Sequence, residues 1–173
     1  MVRTFLTGRK MTVNKDVSIR PMSLLDQASM EQLFADKRIY TNFGQGPLSV
    51  DEVRASVRRN VEKWKIGLLG AHVICYREKV VGKLILFPNA NQEHELGYVV
   101  HPDYWGKGVG SEAARLGIKY LADNNITKIV VAYSRKSNFP SIAILNALGF
   151  ERIGEEEVDG DVVLQKFILV IAK

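Results

Sequence analysis

The residues best suited to chemistry lie in one glycine-rich run in the middle of the chain. Gly106, Gly108 and Gly110 fall within five consecutive positions of the segment DYWGKGVGSEAA, between an apolar run and an apparent helix. Successive glycines let main-chain N–H groups turn toward a ligand without obstruction by Cβ atoms, and a helix N-terminus carries partial positive charge. Lys107 adds a formal cation and Ser111 a hydroxyl. The segment therefore predicts a cradle for a pyrophosphate.

Two common phosphate-binding patterns do not account for this loop. The sequence from Gly108 to Ala113 formally satisfies G-x-G-x-x-A. That fingerprint, however, follows the first strand of a parallel unit and needs an acid about 20 residues further on. Here the loop comes after several predicted strands, and the strand after the helix ends in AYSRKS, without a carboxylate. The chain has no G-K-[ST] sequence, which excludes a Walker P-loop.

Length, composition and charge bound the class of protein. The 173 residues predict one domain, 1–173, in which residues 1–15 form a loosely ordered lead-in. The net charge of 24 − 19 = +5 suits an anionic ligand, but no basic stripe interleaved with aromatics indicates a nucleic-acid partner. No apolar stretch is long enough for a membrane span, and the N-terminus does not resemble a signal peptide. A single cysteine, Cys75, fits a cytoplasmic location, and the three histidines lack metal-ligand spacing, so we expect no metal.

The predicted elements place the glycine loop late in a mixed sheet. Apolar periodicity and capping signals predict the order β-α-α-β-β-β-α-β-α-β-β, an α/β (α+β) fold with a largely antiparallel central sheet flanked by helices. Ser49 followed by Glu52 predicts a capping box at the start of a helix over about residues 50–66. The glycine loop leads into a helix from about Gly108 to Asn125, and Asp159-Gly160 predicts a tight turn between the last two strands. The apolar side of the first helix is expected to contain Leu24, Leu25, Ala28 and Leu33.

The segments GYVVHPDYWGKGVGSEAARLGIKYL and NFPSIAILNALGF together resemble the GNAT superfamily of acetyl-CoA-dependent N-acetyltransferases. More narrowly, they are similar to the branch that contains ribosomal-protein-alanine N-acetyltransferases. The family's Q/R-x-x-G-x-G loop is matched by residues 105–110, with a tryptophan in the first position. The resemblance covers most of the chain and implies a GNAT-type fold with acetyl-CoA as co-substrate. The residues that it implies for the phosphate loop are Trp105, Gly106, Lys107, Gly108, Val109, Gly110 and Ser111.

Acetyl transfer from a thioester to an amine requires a neutral amine. An alkyl ammonium has a pKa of about 10 and an α-amino group one of about 8, so a base helps. The resemblance places a base glutamate near Glu95, where apolar surroundings can raise its pKa. Glu93 and His94 are the alternative candidates for the base. It is also open that Glu95 is only solvated or ion-paired and has no catalytic role. The family's splayed strand implies that the main-chain N–H groups of Val99 and Val100 bind the pantetheine arm and polarise the thioester carbonyl.

The leaving thiolate requires a proton donor, for which the sequence offers several candidates. Asn138 and Ser141 resemble the family's cofactor-contacting pair at the start of a helix. Many relatives carry a tyrosine as general acid where this chain has Leu145. Ser141 or an ordered water therefore has to donate the proton, and Tyr133 is a weaker candidate. The alternative role of Ser141 is to cap the helix. Cys75 lies in a core-like strand, so we expect direct transfer in a ternary complex.

The acceptor groove is expected between the loop IYTNFGQGPLS, where Phe43 and Gln45 are candidate contacts, and the last hairpin. The carboxylates of GEEEVDGD could attract a cationic amine, although such hairpin carboxylates are more often only solvated. Three hypotheses stay open: acetylation of a protein or peptide N-terminal amine, acetylation of a polyamine, aminoglycoside or amino acid, and a non-catalytic acyl-CoA-binding regulator. The apolar segment VVLQKFILVI would be a hazardous sheet edge unless covered, which predicts a homodimer.

Overall fold

The structure is a computed structural model that describes residues 11–12, 16–42, 46–89, 91, 93–158 and 162–171. These residues include eight strands and four α-helices. The strands are β1 (Met11–Thr12), β2 (Val17–Pro21), β3 (His72–Tyr76), β4 (Lys79–Pro88), β5 (His94–Val100), β6 (Ile129–Ser134), β7 (Glu151–Val158) and β8 (Val162–Val170). The helices are α1 (Gln27–Ala35), α2 (Val50–Lys65), α3 (Val109–Asp123) and α4 (Phe139–Ala147).

All eight strands belong to one sheet, in the order β1-β2-β3-β4-β5-β6-β8-β7. Only the β5–β6 pair is parallel among these neighbours. The predicted mixed, largely antiparallel architecture is therefore confirmed, with one addition. Met11 and Thr12, which fall in the predicted loose lead-in, pair with Ile19 and Ser18 as the edge strand β1. Residues 1–10 and 13–15 of that lead-in lie outside the described part.

Helices cover the sheet on both faces and divide the core into two clusters. Leu84, Leu86 and Leu96 pack against α3 and α4 on one face. On the other face, β3 and β5 contribute Val73 and Val99 to a cluster with the buried sides of α1 and α2. Because side chains alternate along a strand, neighbouring residues of β5 point to opposite faces. This alternation separates the two halves of the candidate site described below.

The first helix differs from the prediction in its apolar face. Of the four residues expected on its buried side, only Leu33 is buried, whereas Leu25 is 94% exposed. The chain forms a 3-10 turn over Leu24–Asp26 before α1 begins. A 3-10 turn contains about three residues rather than 3.6, so the buried stripe starts afresh with Met30, Leu33 and Phe34. The capping box of Ser49 and Glu52 is confirmed, and α2 begins at Val50.

The apolar last strand is not an edge of the sheet. β8 pairs with β6 on one side and with β7 on the other, so its main-chain groups are used on both sides. The edge is β7, whose sequence ERIGEEEV is rich in charge, a common protection against edge-to-edge association. Because β8 is paired on both sides, it gives no reason to expect a dimer, and the homodimer stays a prediction. The proposed turn at Asp159-Gly160 lies outside the described residues.

Candidate active site

A gap opens between β5 and β6 where their pairing stops. The parallel ladder joins His94 to Val130 and Glu95 to Val131, whereas β5 continues to Val100 and β6 to Ser134. The second half of β5 therefore has a ladder partner on the β4 side only. Main-chain groups that point into such a gap remain available to a ligand.

The register of β5 decides which residues offer those groups. Asn89 N–H donates to Glu93 O at 2.9 Å, and His101 N–H donates to Val81 O at 2.8 Å. Since an antiparallel ladder alternates between hydrogen-bonded and non-bonded pairs, the odd-numbered residues of β5 bond to β4 and the even-numbered ones face the gap. The main-chain N–H of Val99 is thus committed to β4, and the expected donor role at that position is wrong. Tyr98 and Val100 present their main chains to the gap.

Trp105 fixes the end of β5. Its indole N–H donates to the carbonyl oxygen of Val100 at 2.7 Å. The ring is half-exposed and lines the cavity described below. With its only polar hydrogen used in this way, Trp105 holds the loop against the strand and has no donor left for a phosphate.

The glycine loop has the open geometry that a phosphate cradle requires. Gly106 and Gly108 have φ values of +71° and +72°, and a Cβ atom at either position would meet no heavy atom within 4 Å. Gly108 is the N-cap of α3, so the N–H groups of Val109, Gly110 and Ser111 have no acceptor within the helix. The Nζ atom of Lys107 lies 5.0 Å from the centroid of the Tyr104 ring, and Lys107 does not line the cavity.

One cavity of about 500 Å³ joins the loop, the gap and the start of α4. Most of the residues that the sequence indicated for cofactor binding meet here; those lining the cavity are Val99, Val100, Trp105, Gly106, Gly108, Val109, Gly110, Ser111, Asn138 and Ser141. Ile39, Tyr98, Tyr104, Pro140 and Ile144 complete the lining. A long, narrow ligand with phosphates at one end fits a cavity that runs from a helix N-terminus into a gap between strands.

The start of α4 supplies polar groups to this cavity. Asn138 caps the helix, its Oδ1 accepting the N–H of Ser141 at 3.3 Å. Ser141, in the first turn, brings a hydroxyl into the same cavity. Leu145 is 1% exposed, belongs to the core and does not line the cavity.

Tyr98 is a residue that the sequence analysis missed. Its ring packs against the first turn of α3, where a Cβ on Gly110 would come within 3.1 Å of Tyr98 Cε2. Its hydroxyl is fully buried and makes no hydrogen bond of good geometry within the described part of the chain. Burial raises the pKa of Tyr98, while the nearby Ser141 hydroxyl lowers it to a lesser extent. The signal in the sequence was the even position of Tyr98 on β5, on the same face as Leu96 and opposite to Glu95.

Glu95 lies on the other face of the sheet, at the point where the gap begins. It is half-buried, and burial, followed by the negative charge of Glu156, raises the pKa of its carboxyl group. Glu156 accepts the hydroxyl hydrogen of Tyr133 at 3.2 Å and lies 3.4 Å from the Nζ of Lys166. Glu95 does not line the cavity, so the base candidate and the hydroxyls of Tyr98 and Ser141 approach the gap from opposite faces.

The remaining catalytic candidates, other than Ser141, lie outside the cavity or are engaged in other contacts. Glu93 precedes β5, and its Oε2 accepts from Asn89 Nδ2 at 2.6 Å. His94 is buried and, by alternation, points away from the face of Glu95; burial lowers its pKa. Tyr133 donates its hydroxyl to Glu156 and does not line the cavity of Ser141. Cys75 is buried in the cluster beneath α1 and α2.

The expected acceptor side is described only in part. Phe43 and Gln45 lie outside the described residues. In the acidic hairpin, Glu155 pairs with Lys136 at 2.8 Å and Glu156 with Lys166, so these two carboxylates already have internal partners. The described ranges contain no cluster of three metal-ligand side chains, and no helix within them is both long and apolar enough to cross a bilayer.

Comparison with known proteins identifies the family and the fold. The profile described as "Acetyltransferase (GNAT) domain" matches residues 16–151. The chain is 23% identical over 146 residues to the N-acetyltransferase YnaD of Bacillus subtilis (strain 168), covering 81% of this chain and 82% of that protein. It is 27% identical over 144 residues to the N-acetyltransferase p20 of Bacillus licheniformis, covering 80% of each. Its fold resembles that of RimL, which is named as a ribosomal L7/L12 alpha-N-protein acetyltransferase and was solved in complex with coenzyme A. The two structures match with a TM-score of 0.81 and 18% sequence identity, over 94% of this chain and 98% of the RimL chain.

Proposed function

Because the chain belongs to the GNAT acetyltransferase family, and is an N-acetyltransferase that uses acetyl-CoA, we propose that it acetylates the N-terminal amine of a protein or peptide by direct transfer. The observation that carries the proposal is the gap between β5 and β6, which has a phosphate cradle at one end and Glu95 at the other. A cradle alone would suit many phosphorylated ligands. A half-buried carboxylate at the far end of the same gap adds a base.

The cofactor fits the residues that are present. The N–H groups of Val109, Gly110 and Ser111 hold the pyrophosphate, at the N-terminus of a 15-residue helix whose dipole favours negative charge. The main-chain groups of Tyr98 and Val100 orient the pantetheine arm in the gap. Acetyl-CoA supplies an activated thioester there, and the chain's own side chains manage the protons.

Glu95 has the properties of a general base for an amine. An α-amino group with a pKa of about 8 is roughly one-tenth neutral at pH 7, so deprotonation costs about 1.4 kcal/mol. A carboxylate with a raised pKa accepts a proton more readily than a solvated one. Glu95 takes the amine proton from one face, and the Ser141 hydroxyl, beside Tyr98 on the opposite face, donates a hydrogen bond to the departing sulfur.

A protein acceptor is favoured by the fold around Glu95. The helices α1 and α2 cover only part of this face, and Tyr133, Lys166 and Glu156 form a neighbouring, incompletely buried surface on β6, β7 and β8. Such a groove can admit the end of a chain. RimL, which shares the fold, is named as an enzyme acting on ribosomal proteins.

The test is release of CoA thiol from acetyl-CoA with short peptides and, in parallel, with spermidine. We expect turnover of peptides and little turnover of spermidine. Glu95→Gln should lower kcat at least about 100-fold and leave acetyl-CoA affinity unchanged, because Glu95 does not line the cofactor cavity. Glu93→Gln is the matched control and should retain activity.

The outcomes separate the hypotheses. Tight acetyl-CoA binding without turnover of any amine would indicate a regulator. A greater loss in Glu93→Gln than in Glu95→Gln would assign the base to Glu93. Spermidine turned over faster than every peptide would replace the protein acceptor by a small amine.

A further inference from the structure

The sheet face that carries Glu95 is bordered by positive charges that have no carboxylate partner in the described ranges. Four partly buried residues of β4 and β5 lie on this face: Ile85, Phe87, Glu95 and Gly97. Along one side, α2 and β4 contribute Arg59, Lys63 and Lys83, here called the cation row. No ion pair joins any member of the cation row to a carboxylate in the described ranges.

Lys83 is partly buried and lies beneath α1 and α2. Its Nζ donates to Ser56 Oγ at 3.2 Å, and it lies 5.8 Å from the centroid of the Phe34 ring. The small pocket around it is otherwise lined mainly by apolar side chains, including those of Met30 and Val53. Burial, then the charges of Arg59 and Lys63, lower its pKa. The ammonium group of Lys83 thus has one hydroxyl acceptor and one aromatic neighbour, and no carboxylate in the described ranges pairs with it.

Three carboxylates of α1 and α2, the helices that pack over this face, are engaged elsewhere. Glu31 on α1 pairs with Arg54 at 2.7 Å, and Glu62 on α2 pairs with Lys65 at 2.6 Å. Glu52 accepts both the N–H and the hydroxyl of Ser49 at the start of α2. None of them neutralises the cation row.

The row is aligned with the reacting end of the site. Lys83 is the cross-strand partner of Val99, and Phe87 that of Glu95. The Nζ of Lys63 lies 4.0 Å from the centroid of the Phe87 ring, so the row begins level with Glu95. From Phe87 to Lys83 the strand advances about 13 Å, the length of about four extended residues. An extended peptide whose amine reaches Glu95 would therefore place its second and third residues at the Lys63 end of the row, and only its fifth residue level with Lys83.

We propose that this enzyme selects acceptor peptides with acidic residues directly after the N-terminal one, and that the Glu95 end of the cation row, Lys63 with Arg59 one helical turn earlier on α2, binds their carboxylates. This proposal rests on the function proposed above. The acidic hairpin sequence suggested a cationic acceptor, whereas this proposal predicts an acidic one. Two of the hairpin carboxylates are paired internally, while the cation row has no carboxylate partner in the described ranges.

The experiment compares three peptides that differ only at positions two and three: Ala-Glu-Glu, Ala-Gln-Gln and Ala-Lys-Lys, each followed by the same neutral sequence. We expect kcat/KM to fall in that order, with at least about a tenfold advantage of Glu over Gln. The advantage should shrink as salt is raised, because screening weakens charge attraction. Equal rates for Glu and Gln peptides, or a preference for Lys, would overturn the proposal.

Lys63→Met locates the effect, since methionine keeps an unbranched side chain over the Phe87 ring. The Glu-to-Gln ratio should drop toward one in this variant. Lys119→Met is the matched control, because Lys119 lies on α3 and pairs with Asp123 at 2.9 Å; it should keep the wild-type ratio. Lys63→Glu reverses the charge at the same position and should move the preference toward the Lys peptide. An undiminished ratio in these variants would contradict the role of the row.

Failure of the proposed function gives a different result. No thiol release with any of the three peptides would remove the peptide acceptor and this inference with it. Release with all three at one rate would leave the function standing and remove only the inference. Release with free glutamate, and with no peptide, would support carboxylate recognition but assign it to a small-molecule acceptor.

Discussion

His72 makes the stability of the protein depend on pH in a range where few other groups titrate. The imidazole lies between the rings of Trp64 and Tyr120, with both centroids 5.0 Å away. It is 1% exposed, and neither ring nitrogen has a hydrogen-bond partner in the described part of the chain. Burial lowers the pKa of His72 from its ordinary 6.5 to about 4. The fold therefore holds this histidine neutral at pH values where the unfolded chain would protonate it.

The sign and size of the effect follow from this difference. The unfolded state binds the proton more tightly, so the contribution is complete above pH 6.5 and is lost as pH falls toward 4. At 1.36 kcal/mol for each pKa unit, the full contribution is about 3 kcal/mol, and most of it is lost between pH 7.5 and 4.5. That range lies above the pKa of ordinary carboxyl groups, which limits their contribution.

The assay is urea denaturation of wild type and His72→Phe between pH 7.5 and 4.5. Phenylalanine preserves an aromatic ring between Trp64 and Tyr120 but cannot titrate, so the free energy of unfolding of the variant should fall by about 2 kcal/mol less than that of wild type. Parallel curves for wild type and His72→Phe, or an NMR titration of the His72 imidazole near pH 6.5, would refute the reasoning.

Three further predictions concern the site. Glu156→Gln removes a negative charge that raises the pKa of Glu95, so the acidic limb of the kcat/KM profile should move to lower pH; an unmoved limb would separate the two carboxylates functionally. Gly108→Ala should lower the free energy of unfolding by about 1–2 kcal/mol, because Gly108 has a positive φ, and should weaken acetyl-CoA binding measured by calorimetry. Gly154→Ala is the control: a Cβ there has equal space and φ is not positive, so stability and acetyl-CoA binding should stay unchanged. Tyr98→Phe should keep or raise Tm, because it deletes a buried hydroxyl without a good partner, and lower kcat more than acetyl-CoA affinity. An unchanged kcat would show that the Tyr98 hydroxyl takes no part in the reaction.

The local signals in the sequence were reliable where one short segment decides the structure. The capping box of Ser49 and Glu52, the glycine loop before α3 and the cap at Asn138 all depend on residues within about one helical turn. The order of elements could likewise be read from periodicity, and the resemblance of the glycine loop and the following helix to one family added the cofactor. The first helix failed because a 3-10 turn changed the phase of its apolar residues, which no local pattern announced.

What the sequence by itself determined was the set of elements, the phosphate cradle and the presence of a carboxylate on the strand before it. Only the tertiary structure decided which groups face one another, because strand register and strand order join residues far apart in the chain. The parity of the ladder moved a main-chain donor from Val99 to Tyr98. The insertion of β8 between β6 and β7 buried an apparent edge. The alignment of α2 along β4 set a row of unpaired cations beside Glu95, a neighbourhood that no single segment of the sequence contains.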